Sequence, residues 1–147
     1  MANIIPDGFK SELLKGSHNF KASGGNSFYI ALYDTTLGPP YTSSSTVYSA
    51  TNECSSAGGS GYPAGGQALT NLGVSVPSAN TAVVDFDPEV FSSVTISSVG
   101  AAIYNYTSST NLLVLVLDFG GTKSASSGDF TIQFPSPTAA DGILRVA

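Results

Sequence analysis

The clearest pattern along the chain is alternation with a period of two. In FYIALY (28–33), Phe28, Ile30 and Leu32 alternate with Tyr29, Ala31 and Tyr33, so one face reads as core and the other as amphipathic. Phe130, Ile132 and Phe134 alternate with Thr131 and Gln133, the pattern of a half-exposed strand. LLVLVLDF (112–119) is apolar on both faces, which predicts a central strand covered from two sides. Short β-branched or aromatic runs at 82–86, 93–97, 101–106 and 143–147 predict further strands, and 47–50 and 67–72 give weaker signals. Clusters of Gly, Ser, Pro and Asn at 23–26, 37–45, 55–66, 108–111 and 120–128 separate these runs and predict turns or loops.

Helical spacing occurs once. Asp7 is placed to cap a helix on which Phe9, Leu13 and Leu14 share a face, Glu12 and Lys15 point outward, and Gly16 ends the element. Two turns of helix are not stable alone and must dock on something. The whole predicts an all-β fold: an antiparallel β-sandwich, jelly-roll-like or Ig-like, with one short N-terminal helix. Residues 1–20 form an N-terminal arm and residues 21–147 a single sandwich domain. The predicted core is Phe28, Ile30, Leu32, Val84, Ile96, Ile103, Leu113, Leu115, Leu117, Phe130, Ile132 and Phe134. The SSAGGSGYPAGG stretch (55–66) reads as a long surface loop.

Composition narrows the function classes. Charged residues make up 10% of the 147, against about 25% in ordinary globular chains. Ser and Thr supply close to a quarter of the sequence in their place. A surface so poor in charge suits a protein packed against copies of itself or against a scaffold. Five basic against ten acidic residues give a net charge of −5, and Lys10, Lys15, Lys21, Lys123 and Arg145 are scattered. Phosphate backbones are held by clustered cations, so no nucleic acid is expected as a partner. One cysteine, Cys54, forbids an intramolecular disulfide. The N-terminus lacks the basic-then-apolar profile of a signal peptide, and no apolar run approaches the ~20 residues of a membrane span. The expectation is a protein made and kept soluble in a cytoplasm, with no membrane partner.

Candidate chemistry is sparse. His18 is the only histidine, and no G-x-S-x-G elbow presents a serine to it, so His18 reads as structural. Zinc needs several His or Cys ligands, which this chain lacks. Asp85, Asp87 and Glu89 imitate the first half of a calcium loop, without the glycine at loop position 6 or the glutamate at position 12. They read as a solvated strand end before Pro88. Asp118-Phe119-Gly120 matches a kinase tripeptide without the rest of a kinase, and Asn105-Tyr106-Thr107 is a sequon without meaning in a chain that is not secreted. Tyr29, Tyr33, Tyr41, Tyr48 and Tyr62 could stack on carbohydrate, although tyrosine also fills sandwich edges and interfaces. No catalytic, metal or cofactor site is therefore assigned, and no enzyme activity is expected.

Two stretches carry a resemblance. NIIPDGFKSELLKGSHNF running into FYIALYDTT, and LDFGGTKSASSGDFTIQFP followed by ILRVA, are similar to small virion structural proteins of tailed bacteriophages. The resemblance frames nearly the whole chain, with residues 37–80 the least alike, and its motifs carry no chemistry. It implies a protein made in the host bacterial cytoplasm and located in the virion. The implied role is an auxiliary capsid (decoration or cement) protein that stabilises the head by binding neighbouring major capsid subunits. The alternative is a tail, baseplate or host-surface adhesin component. Strands 28–33 and 112–119, apolar on both faces, add an expectation of a homo-oligomer, and the resemblance favours a trimer. The arm, through Ile4, Ile5, Phe9, Leu13 and Leu14, is expected to dock either on its own sandwich or on a neighbouring subunit, with a slight lean to the second.

Overall fold

In the computed structural model, which describes residues 2–34 and 39–147, one helix precedes seven strands. Helix α1 (Asp7–Leu14) is followed by β1 (Phe28–Asp34), β2 (Gln67–Ala68), β3 (Asn71–Ser78), β4 (Thr81–Phe86), β5 (Glu89–Asn105), β6 (Leu112–Ile132) and β7 (Leu144–Val146). They form a four-stranded sheet, β2-β1-β5-β6, and a three-stranded sheet, β3-β4-β7. Every strand pairing is antiparallel. The expected all-β, two-sheet antiparallel fold with one short helix is what the chain adopts.

The alternation in FYIALY works as read. Phe28, Ile30 and Leu32 are buried between the sheets with Ile103, Leu115 and Phe86. Eleven of the twelve expected core residues are buried, and Phe134 is half-buried against Phe86. Three strand boundaries differ from expectation. Residues 93–97 and 101–105 belong to one strand, β5, which ends one residue short of the expected 101–106 run, and 120–128 is no loop but the middle of β6. Between Ser98↔Lys123 and Gly100↔Asp118 the pairing skips several residues of β6, and Gly120 and Gly121 take positive φ (69° and 149°) in that bulge. A bulge demands the same residues as a turn, so the Gly-Gly pair reads identically in sequence. The weak 47–50 strand shrinks to a single bridge between Val47 and Leu112. Residues 37 and 38 of the expected 37–45 loop lie outside the described residues.

Of the two dockings expected for the arm, the structure shows the one on its own sandwich. Ile4 exchanges both backbone hydrogen bonds with Val116 (2.9 and 2.8 Å), extending the sheet past β6. Phe9 joins the core beside Phe20, which stacks on Phe28 with centroids 4.4 Å apart. Pro6, not Asp7, occupies the N-cap position, and Asp7 instead sits in the first turn paired with Lys10 at 2.8 Å. The C-terminus closes as a Schellman turn: Gly16, at φ 73°, donates to the Leu13 carbonyl and Ser17 to that of Glu12. Leu14 is 90% exposed, and Glu12 turns inward to His18 rather than outward.

Candidate functional site

The segment between β1 and β2 crosses the outer face of the four-stranded sheet, and Glu53 is its anchor. Between Asp34 and Asp85 it is the only charged residue. A turn closed by the Glu53 N–H on the Ala50 carbonyl, with Asn52 at φ 64°, delivers it to the edge of β1. There the Asp34 N–H donates to Asn52 and the Cys54 N–H to Leu32. The Glu53 carboxylate then accepts three hydrogen bonds, from Tyr48 Oη (2.6 Å), Tyr62 Oη (2.8 Å) and the Gly65 N–H (2.7 Å). Among the described residues no ion pair reaches it. Three converging donors replace the water that a half-buried carboxylate loses.

Tyrosine hydroxyls carry the rest of this roof. Tyr62 Oη also accepts from the Leu32 N–H (2.9 Å), so a phenol fills the gap in the β1 ladder between β2 and Cys54. Tyr33 Oη donates to the Ser49 carbonyl (2.7 Å) and lies 2.6 Å from Tyr41 Oη, which accepts from the Ser49 N–H (2.8 Å). Tyr104 Oη donates to the Gly65 carbonyl (2.6 Å). The loop's glycines are needed here: a Cβ on Gly66, at φ 76°, would collide with the Ile30 carbonyl oxygen, and one on Gly61 would lie 2.6 Å from that of Ser93. The 55–66 stretch is thus exposed along most of its length but pinned at Ser60, Tyr62, Gly65 and Gly66. Burial raises the phenol pKa values of Tyr33, Tyr41, Tyr48, Tyr62 and Tyr104 above the ordinary 10, and the nearby Glu53 charge adds to the effect.

This arrangement decides the tyrosine question. Of the five tyrosines considered as stacking platforms, Tyr33, Tyr41 and Tyr62 are buried, and Tyr29 and Tyr48 are half-buried against Tyr106 and Tyr104. It also removes the premise of a doubly apolar strand seeking a partner, because Tyr41, Tyr48 and Ile4 of the same chain cover the second face.

His18 and Cys54 lie apart. The side chain of Asn105 accepts from the Thr107 N–H (3.1 Å), which orients its amide nitrogen towards His18 Nδ1 (3.1 Å), the Asn26 side-chain oxygen and the Ser17 carbonyl. Nδ1 therefore accepts, and Nε2 carries the proton that Glu12 receives at 3.0 Å. The ring is sealed by Phe9 and Phe20, and the whole group ties the arm to the end of β5. Cys54 lines a shallow groove with Asp34, Ser55, Ser60 and Ser97, with no histidine nearby. Burial pushes its thiol up to about 12, so the thiolate that a nucleophile requires is scarce at neutral pH. Asp85 accepts from its neighbour's N–H on β4, Asp87 lies in the link to β5, and Glu89 engages Gln67. Among the described residues no three His, Cys, Asp or Glu side chains are grouped to hold a metal.

No family model, curated protein or solved structure matches this chain. The roof was not foreseen from the sequence. A lone glutamate in an otherwise uncharged, tyrosine-bearing stretch is the signal that could have located it.

Proposed function

We propose that this chain is a non-enzymatic structural protein of a tailed-phage virion, and within it an auxiliary capsid protein that binds neighbouring major capsid subunits. The observation that carries the reading is the use to which the reactive side chains are put. Glu53, His18 and Glu12 hold loops and the arm to the sheet, and the Cys54 thiol is buried. Apart from scattered charged side chains such as Lys10, Lys21, Lys123 and Arg145, what the strands turn outward is largely Ser, Thr and Val, a surface suited to packing. The setting in a virion rests on the resemblance read in the two ends of the sequence alone. The adhesin alternative leaned on exposed tyrosines, and the burial of Tyr33, Tyr41 and Tyr62 leaves it without most of them.

Quantitative mass spectrometry and a cryo-electron microscopy map of the particle test this reading. A capsid cement protein is expected in hundreds of copies spread over the head. A few copies at the tail would contradict the capsid role, and absence from the particle would contradict the virion role. A hydrolytic activity of the purified protein that His18→Ala abolishes would overturn the non-enzymatic reading.

A further inference from the structure

We propose that the groove between the arm and β7 is a binding site for an aliphatic carboxylate, with the head on Arg145 and the chain between the two sheets. The groove exists because the margins of the sheets do not meet there. β7 ends the three-stranded sheet, and on the facing margin the arm adds only the single Ile4–Val116 bridge beside β6. Ile4 therefore shares the outer side with Val116, and Ile5, one residue on, falls on the inner side with Leu115 and Leu117. With Ile143 they line a space of ≈ 420 Å³, within the roughly 300–1,000 Å³ of small-molecule sites. Leu115 and Leu117 belong to the buried core, so the groove reaches the interior, while Ile5 stands 42% exposed at its mouth.

The chemistry of the groove is one-sided. Arg145 is the one charged side chain that lines it. An N–H of Arg145 donates to the Ala139 carbonyl (2.7 Å), which holds the guanidinium at the rim. Among the described residues no carboxylate pairs with it. Its remaining N–H groups keep the fork geometry that fits a carboxylate. Asn3 adds a neutral donor: its side-chain oxygen accepts from the Asp118 N–H (2.7 Å), which leaves the amide nitrogen free to donate. The walls are aliphatic and carry no aromatic ring, so they match an alkyl chain, and the rim matches its carboxylate.

Two other grooves lack this combination. The one at Phe119 carries both Lys123 and Asp129, whose charges offset each other. The notch between Leu13, Val74 and Leu144 is lined by apolar side chains alone and encloses ≈ 110 Å³, too little for a chain with a head group.

The site is independent of any role in a particle. Calorimetric titration of the full chain tests it with hexanoate, octanoate and decanoate, each below its micelle concentration. Affinity should rise about fourfold per added methylene. Octanol and octylamine, which lack the carboxylate, should bind more than about tenfold more weakly than octanoate. Methyl resonances of Ile5, Leu117 and Ile143 should move as octanoate binds. Arg145→Gln should weaken octanoate more than about tenfold and leave octanol unchanged. Ile5→Asp, at an exposed position, should weaken octanoate by a similar factor with an unchanged melting temperature. That variant decides if Arg145→Gln fails to fold. No saturable binding, affinity indifferent to chain length, octylamine binding as tightly as octanoate, or shifts confined to methyls outside the groove would each overturn the proposal.

Discussion

On the inner face of the four-stranded sheet, Phe28, Ile30, Leu32, Ile103 and Leu115 meet the other sheet through side chains without a polar atom. On its outer face, Ala31, Tyr33, Ala102, Tyr104, Leu113 and Val116 meet no second sheet. An irregular segment covers them instead, and its backbone groups need partners that a regular sheet would have supplied. Tyrosine hydroxyls and the Glu53 carboxylate are those partners. The same strands are thus closed on one side by area and shape, and on the other by aromatic area plus directed hydrogen bonds. The second kind of cover draws on residue types that elsewhere signal binding or catalysis.

The largest effect should come from the inner face. Phe28→Ala should cost about 3–5 kcal/mol and Leu115→Ala about 2–5 kcal/mol, because both are enclosed and leave cavities. Chemical denaturation reads this, and a loss below about 1 kcal/mol at Leu115 would place it outside the core. On the outer face, Glu53→Gln should cost about 1.5–3 kcal/mol, since the amide retains one acceptor and turns an N–H₂ towards donors. An unchanged midpoint would mean the roof is not anchored at Glu53.

Tyr62→Phe should cost about 1–2 kcal/mol, because it leaves the Leu32 N–H without its acceptor. A smaller loss, with fast hydrogen exchange at the Leu32 amide, would show water taking the place of the phenol. The smallest effect is expected at the arm: Leu14→Ser should fall within about 0.5 kcal/mol, as that side chain lies in solvent. A melting temperature that drops by several degrees would mean Leu14 packs against something in solution.

The inner face was legible in the sequence and the outer was not. FYIALY and LLVLVLDF announced their strands because burial on a pleated surface writes itself at period two. Gly120–Gly121 misled because a bulge and a turn ask for the same backbone freedom. Glycines 58–66 looked like slack, yet Gly61 and Gly66 are there because the loop passes too close to Ser93 and Ile30 for any Cβ. The roof depends on contacts such as Tyr104 with Gly65 and Glu53 with Tyr62, which no local periodicity encodes. The partners of His18, Asn105 and Glu12, emerge only when the arm folds back on β5.

The central claim is that the tyrosine roof is part of the fold, and alkaline titration tests it most directly. Below pH about 10 the five raised phenols are protonated in folded and unfolded chains alike, so their contribution to stability is fully present. Above that pH the unfolded chain releases protons that the folded chain retains, and stability falls by up to about 1.4 kcal/mol per pH unit for each phenol. Phenolate absorbance and far-ultraviolet circular dichroism, followed together as pH rises, should show Tyr33, Tyr41, Tyr48, Tyr62 and Tyr104 ionising only as the strand signal is lost. Ionisation of all seven tyrosines with the strand signal intact would contradict the account.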